Sequence, residues 1–120
     1  MRLRKCDLYV TFMNDYTIEI YETETGKKPY SEWFEELGDY NASIRISTRI
    51  HRLKNGSFGD SKFLRDGVSE LRIDYGAGYR IYYGMIGKTA VLLLCGGDKR
   101  KQNADIERAI QYFIDYKKRH

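Results

Sequence analysis

The chain is poor in residues that break, staple or metallate a fold. It holds one proline and two cysteines among 120 residues. A lone proline argues against a disordered, proline-rich tail. The cysteines, Cys6 and Cys95, both lie in or near apolar runs and read as two free thiols in a reducing compartment. Histidine occurs twice, as His51 and His120, and with the cysteines it shows no zinc-type spacing. No apolar run approaches the roughly 20 residues that span a bilayer. The longest, over 90–95, has the length of a strand. Residues 1–12 begin with basic side chains, but they carry neither a long apolar stretch nor a small-residue cleavage site, so a cytoplasmic protein is expected. Gly76-Ala77-Gly78 lacks the third glycine of a dinucleotide fingerprint, and Gly96-Gly97-Asp98-Lys99 is not a Walker loop. No Ser-His-Asp or Cys-His arrangement stands out. The expectation is no metal and no small-molecule cofactor.

What is present suits a single packed domain. Hydrophobic residues make up 42% of the chain and aromatics 14%, enough for a core. A chain of this size buries about two thirds of the surface it exposes unfolded, and so needs no staples. The net charge of +4 and a pI of about 9.0 suggest a polyanionic partner only if the basic residues gather on one face.

Periodicity gives the elements. Residues 1–12 read as an upstream extension or an accessory strand, since Leu8, Val10 and Phe12 alternate; 13–120 read as the domain proper. Tyr16, Ile18 and Ile20 alternate with Thr17, Glu19 and Tyr21, which predicts a strand with one buried face. Pro29 fits the first turn of a helix with an apolar stripe of Tyr30, Trp33, Phe34 and Leu37, stopped at Gly38. A second helix is expected over 41–55, capped by Asn41, with Ala42, Ile46, Ile50 and Leu53 inward. Its opposite faces carry Arg45, Arg49, Arg52 and Lys54. The short connection makes the two helices an antiparallel hairpin. Residues 58–67 read as a loop. Strands follow over 68–75, 79–86 and 89–95, the last apolar throughout, as a strand covered on both sides should be. A final helix is expected over 104–118, capped by Asn103. The predicted fold is α+β: a mostly antiparallel sheet, built from an N-terminal strand and a three-strand meander, with helices packed on one side.

The meander carries the candidate chemistry. Arg72 and Arg80 fall on the polar faces of adjacent strands joined by a short turn, so their side chains can share one surface. Lys99, Arg100 and Lys101 follow the third strand. Lys62 and Arg65 precede the first, and Tyr82 lies within the group. Guanidinium forks suit phosphate oxygens, and a tyrosine ring can stack on an unpaired base. The same residues also fit a plain solvated face, with Arg72 paired to Glu70 or Asp74.

The stretches Gly67-Val-Ser-Glu-Leu-Arg-Ile-Asp74, Gly78-Tyr-Arg-Ile-Tyr-Tyr83 and Leu92-Leu-Leu-Cys-Gly-Gly-Asp-Lys99 make the chain resemble the RelE/ParE superfamily. It is most similar to the HigB-like addiction-module killer proteins. The resemblance runs from about Tyr16 to Tyr116. It implies a RelE-like fold and a type II toxin silenced by a small antitoxin, often a helix-turn-helix protein encoded next door. It implies cleavage of messenger RNA on the ribosome. Arg80 matches the phosphate-holding arginine of RelE-like enzymes, with Arg72 and Arg100 near two further basic positions. Ile106 stands where those enzymes carry a tyrosine, and Glu70 where they carry a lysine. The general base therefore falls to Glu70 or Asp98, with Tyr82 behind them. Two other readings share the fold: a ParE-like gyrase inhibitor, and an inactive, interaction-only member.

Overall fold

The computed structural model describes residues 15–120. Cys6 and the alternation of Leu8, Val10 and Phe12 lie outside them. The described chain forms strand β1 (Thr17–Ile20), helices α1 (Pro29–Glu35) and α2 (Tyr40–Lys54), strands β2 (Ser61–Arg65), β3 (Val68–Ile73), β4 (Tyr79–Ile86) and β5 (Ala90–Gly97), a 3-10 turn (Lys99–Lys101) and helix α3 (Gln102–Arg119). The five strands make one sheet in the order β1-β5-β4-β3-β2. β1 runs parallel to β5 and every other pair is antiparallel. The fold is α+β, with a mixed sheet.

The apolar run of β5 has its explanation in this order. It lies between β1 and β4 and is buried at every position but its first. A register slip between Tyr82 and Tyr83 sets Leu94 outside the ladder, so that both Leu94 and Cys95 join the same core.

Helices cover both faces of the sheet, not one. Leu71, Ile73, Ile81, Tyr83, Val91 and Leu93 pack under Tyr30 of α1 and Ile46 and Leu53 of α2. Tyr30 and Phe34 of α1 line a common cleft with Ser47 and Ile50 of α2. Val68, Tyr82, Leu92 and Leu94 pack under Ala109, Ile110 and Phe113 of α3. Alternation reveals that a strand has two faces; it does not say what covers each. The stripe of α3 needs an apolar surface, and the second face of β3–β5 supplies it. Phe113 lies so close that a Cβ on Gly84 would sit 2.7 Å from its ring.

Three local expectations are corrected. The segment read as a loop contains the edge strand β2, with Ser61 opposite Leu71 and Lys62 opposite Glu70. Its return turn is Asp66-Gly67, with φ of 53° and 82°, the left-handed pair that a two-residue hairpin favours. The cap of α2 is Asp39, whose carboxylate accepts from the Ala42 N–H at 3.1 Å; Asn41 is already helical. The last helix starts at Gln102, reached through the 3-10 turn, and not after Asn103. Among the described residues no helix is long and apolar enough to cross a membrane.

Candidate functional site

The β3–β4 ladder sets Arg72 directly opposite Arg80, and Glu70 opposite Tyr82. All four side chains therefore share one face at the end of the sheet that α3 only partly covers. The chain re-enters this end from β5. Lys99 N–H reaches the Ala77 carbonyl at 3.4 Å, and a Cβ on Gly78 would stand 3.4 Å from the Lys99 side chain. Arg72, Arg80 and Lys99 thus line one open hollow of about 330 Å³, with Asp60, Asp74 and Tyr79.

The cations differ in how they are held. Arg72 is half-buried and donates Nε and Nη2 to Asp60 Oδ1 at 3.1 and 2.8 Å. Its partner is Asp60, not the Glu70 or Asp74 expected from sequence. Arg80 is mostly buried. Its Nε lies 3.7 Å from Glu70 Oε1, with side-chain exposures of 12% and 2%. Its Nη1 donates to the Gly78 carbonyl at 2.8 Å. Gln102 Nε2 meets both Glu70 oxygens at 3.2 Å, so the first residue of α3 braces the pair. Lys99 is exposed and has no ion-pair partner among the described residues.

The other predicted residues lie elsewhere. Arg100 is 81% exposed and bound to Asp98 at 2.9 Å. With Asp98 and Lys101 it lines a separate cleft of about 410 Å³ beside Trp33, Asp105 and Tyr112. It does not join Arg72 and Arg80. Asp98 caps the 3-10 turn, and its hydrogen bonds from Arg100 hold its carboxyl below the usual range. A carboxylate so occupied is a poor proton acceptor. Glu70 is buried, faces Arg80 and Gln102, and does not line the hollow. Tyr82 is fully buried, so it is no stacking platform; burial first, then the nearby carboxylates, raises its hydroxyl well above the ordinary value. Arg65 is tied to Glu107 of α3 and to Asp66. Lys62 is exposed on β2 and does not line the hollow.

Three residues at or behind the hollow were not singled out from sequence. Asp60, in its Gly59-Asp60 pair, and Gln102, downstream of the Gly-Gly-Asp-Lys stretch, both fit the RelE-like pattern, but neither had a role assigned. Tyr79 fell on the apolar face by alternation; it reaches the hollow because it stands at the strand's first position, where its ring turns between Trp33 and the open end.

An α+β chain with a five-stranded mixed sheet, helices on both faces and a cationic hollow at one sheet end is the class defined so far. No family model matches the chain. An uncharacterized protein of Haemophilus influenzae is 45% identical over 93 residues, which is 78% of this chain and 90% of that protein. The chain belongs to one family with it.

Proposed function

We propose that the protein is a HigB-like toxin of the RelE/ParE superfamily, with a RelE-like fold, that cleaves messenger RNA on the ribosome and is silenced by a partner antitoxin. The observation that carries this reading is the convergence of Arg72, Arg80 and Lys99 on one hollow, set by the ladder register. Arg72 is paired with Asp60 and Arg80 with Glu70 behind it, so Lys99, which has no ion-pair partner among the described residues, is the cation most freely offered to a phosphodiester.

The reaction is an internal displacement. The ribose 2′-OH attacks phosphorus, the O2′–P bond forms and the P–O5′ bond breaks. A cyclic phosphate and a 5′-hydroxyl result, without a redox step. Arg72, Arg80 and Lys99 stabilise the charge that grows on the phosphoryl oxygens, each contact of this kind being worth about a hundredfold to a thousandfold in rate. Asp74 lines the hollow, is exposed and has no ion-pair partner among the described residues; it is the carboxylate assigned to take the 2′-OH proton. The leaving oxygen takes its proton from solvent. The ribosome, by holding the strand in line, supplies much of the remaining rate. The antitoxin is a small helix-turn-helix protein encoded alongside, as in the toxins the chain resembles.

The test uses purified protein, ribosomes and a messenger, with primer extension to map cuts. Arg72→Gln and Lys99→Gln should each lower cleavage by about two to three orders of magnitude, with the melting temperature nearly unchanged. Cuts made at the wild-type rate by both variants would overturn the mechanism. A DNA-damage response in induced cells, with intact messengers, would replace it by gyrase inhibition.

A further inference from the structure

Helix α2 carries a second cationic feature outside the hollow. Arg45, Thr48, Arg49 and Arg52 fall at i, i+3, i+4 and i+7, one stripe of the helix that flanks the buried face of Ala42, Ile46 and Leu53. The helix contains no acidic residue. Arg45 and Arg52 are exposed, and neither has an ion-pair partner among the described residues. Arg45 lies flat, its guanidinium 4.4 Å above the Tyr75 ring. Arg49 is fixed by donating to the carbonyls of Arg72 at 2.6 Å, Phe58 at 3.2 Å and Asp60 at 3.4 Å. It pins α2 to the wall of the hollow.

The stripe and the hollow are continuous. A groove of about 250 Å³ runs along Arg45, Arg49 and Arg52 and ends on Ile73 and Asp74. Those two residues also line the hollow of Arg72, Arg80 and Lys99. We infer that this arginine stripe is a rail for the RNA backbone, holding the strand where it leaves the hollow. The inference rests on the RNA reading of that hollow. Arg45 to Arg52 spans about 10 Å of helix at about 1.5 Å per residue. That length is enough for the three arginines to meet a short run of neighbouring phosphates on one strand. Asp74, the one carboxylate of the groove, stands at the junction with the hollow, where the scissile ribose would lie, and not under the rail.

The test separates rail from hollow by strand length. Two fluorescent oligonucleotides with 2′-O-methyl riboses, a tetranucleotide and a dodecanucleotide, bind without being cut because the nucleophile is blocked. Anisotropy titrations over a range of salt give the slope of log affinity against log salt. Each single-strand phosphate contact contributes about 0.7 to that slope, so the double variant Arg45→Gln/Arg52→Gln should flatten it by about 1.4 for the dodecanucleotide. The tetranucleotide, which fills the hollow alone, should bind as tightly as to wild type. Both positions are exposed and free of ion pairs among the described residues, so the melting temperature should fall by no more than about 4 °C, from loss of the Arg45 stack on Tyr75. An unchanged slope for the dodecanucleotide overturns the rail while leaving the cleavage reading intact. An unchanged slope together with lost binding of a poly-glutamate peptide also overturns it, and makes the face a protein-docking surface. Wild-type protein that binds neither oligonucleotide sinks the RNA reading itself, and the rail with it.

Discussion

Replacing Arg80 with alanine removes one half of a buried charge pair. The Glu70 side chain is 2% exposed and that of Arg80 12%, so the carboxylate cannot recover its hydration when the guanidinium goes. Breaking a buried pair by deleting one partner typically costs about 3–5 kcal/mol. The Nε–Oε1 separation of 3.7 Å and the donor that Gln102 keeps on Glu70 place the cost at the low end, about 3 kcal/mol. At about 4 °C per kcal/mol for a domain of this size, the melting temperature should fall by about 12 °C. The assay is urea denaturation followed by the fluorescence of Trp33, the chain's single tryptophan. The double variant Glu70→Gln/Arg80→Ala should recover most of the loss, because it removes the stranded charge as well. A loss below about 1 kcal/mol in the single variant, or a double variant no better than the single, would refute the reasoning. The pair also bears on function. Growth inhibition lost in Arg80→Ala would confound a damaged fold with a missing phosphate contact, which is why Arg72 and Lys99 carry the functional test.

Three further outcomes follow from the packing. Phe113→Ala empties the space over Gly84 and should cost about 3–5 kcal/mol in thermal denaturation. Tyr82→Phe deletes a buried hydroxyl with no hydrogen-bond partner among the described residues, so stability should stay within about 1 kcal/mol or rise; a loss above about 3 kcal/mol would mean that the hydroxyl is bonded. Burial pushes the Cys95 thiol up from 9.0 to about 12, so peptide mapping after iodoacetamide should find it unmodified until the chain unfolds. The same shift sets a sign. Between those two values the unfolded chain has released its proton and the folded one has not, so the contribution of Cys95 to stability falls as pH rises.

Much of the fold is written in local patterns, and the exceptions have physical causes. Strands β3, β4 and β5 and the stripes of all three helices follow from alternation and helical spacing. β2 escapes because an edge strand with most of its residues in solvent needs no apolar pattern; of its two large apolar side chains Leu64 packs on the core, while Phe63 is 66% exposed. Placing all helices on one side fails because periodicity is blind to which layer covers which face. The opposition of Arg72 and Arg80 was legible, since a short turn between two strands leaves few registers open. Their environments were not. Arg80 looked like a surface cation by alternation, yet Gln102, distant in sequence, closes over its partner Glu70. Tyr82 and Arg65 were likewise assigned to an open face that α3 occupies.

The parallel pairing of Thr17 with Ala90 sets a timetable for synthesis. A nascent chain makes β1 early, but its ladder partner leaves the ribosome only when most of the domain has been translated. The meander can close on itself by neighbouring contacts, whereas the first strand must wait, unpaired, for nearly the last. A chain released before Leu93 would have made every helix of the first layer and still lack the strand that anchors β1 to the sheet. Truncated products should therefore be degraded, so that only chains carried through β5 can persist as folded molecules.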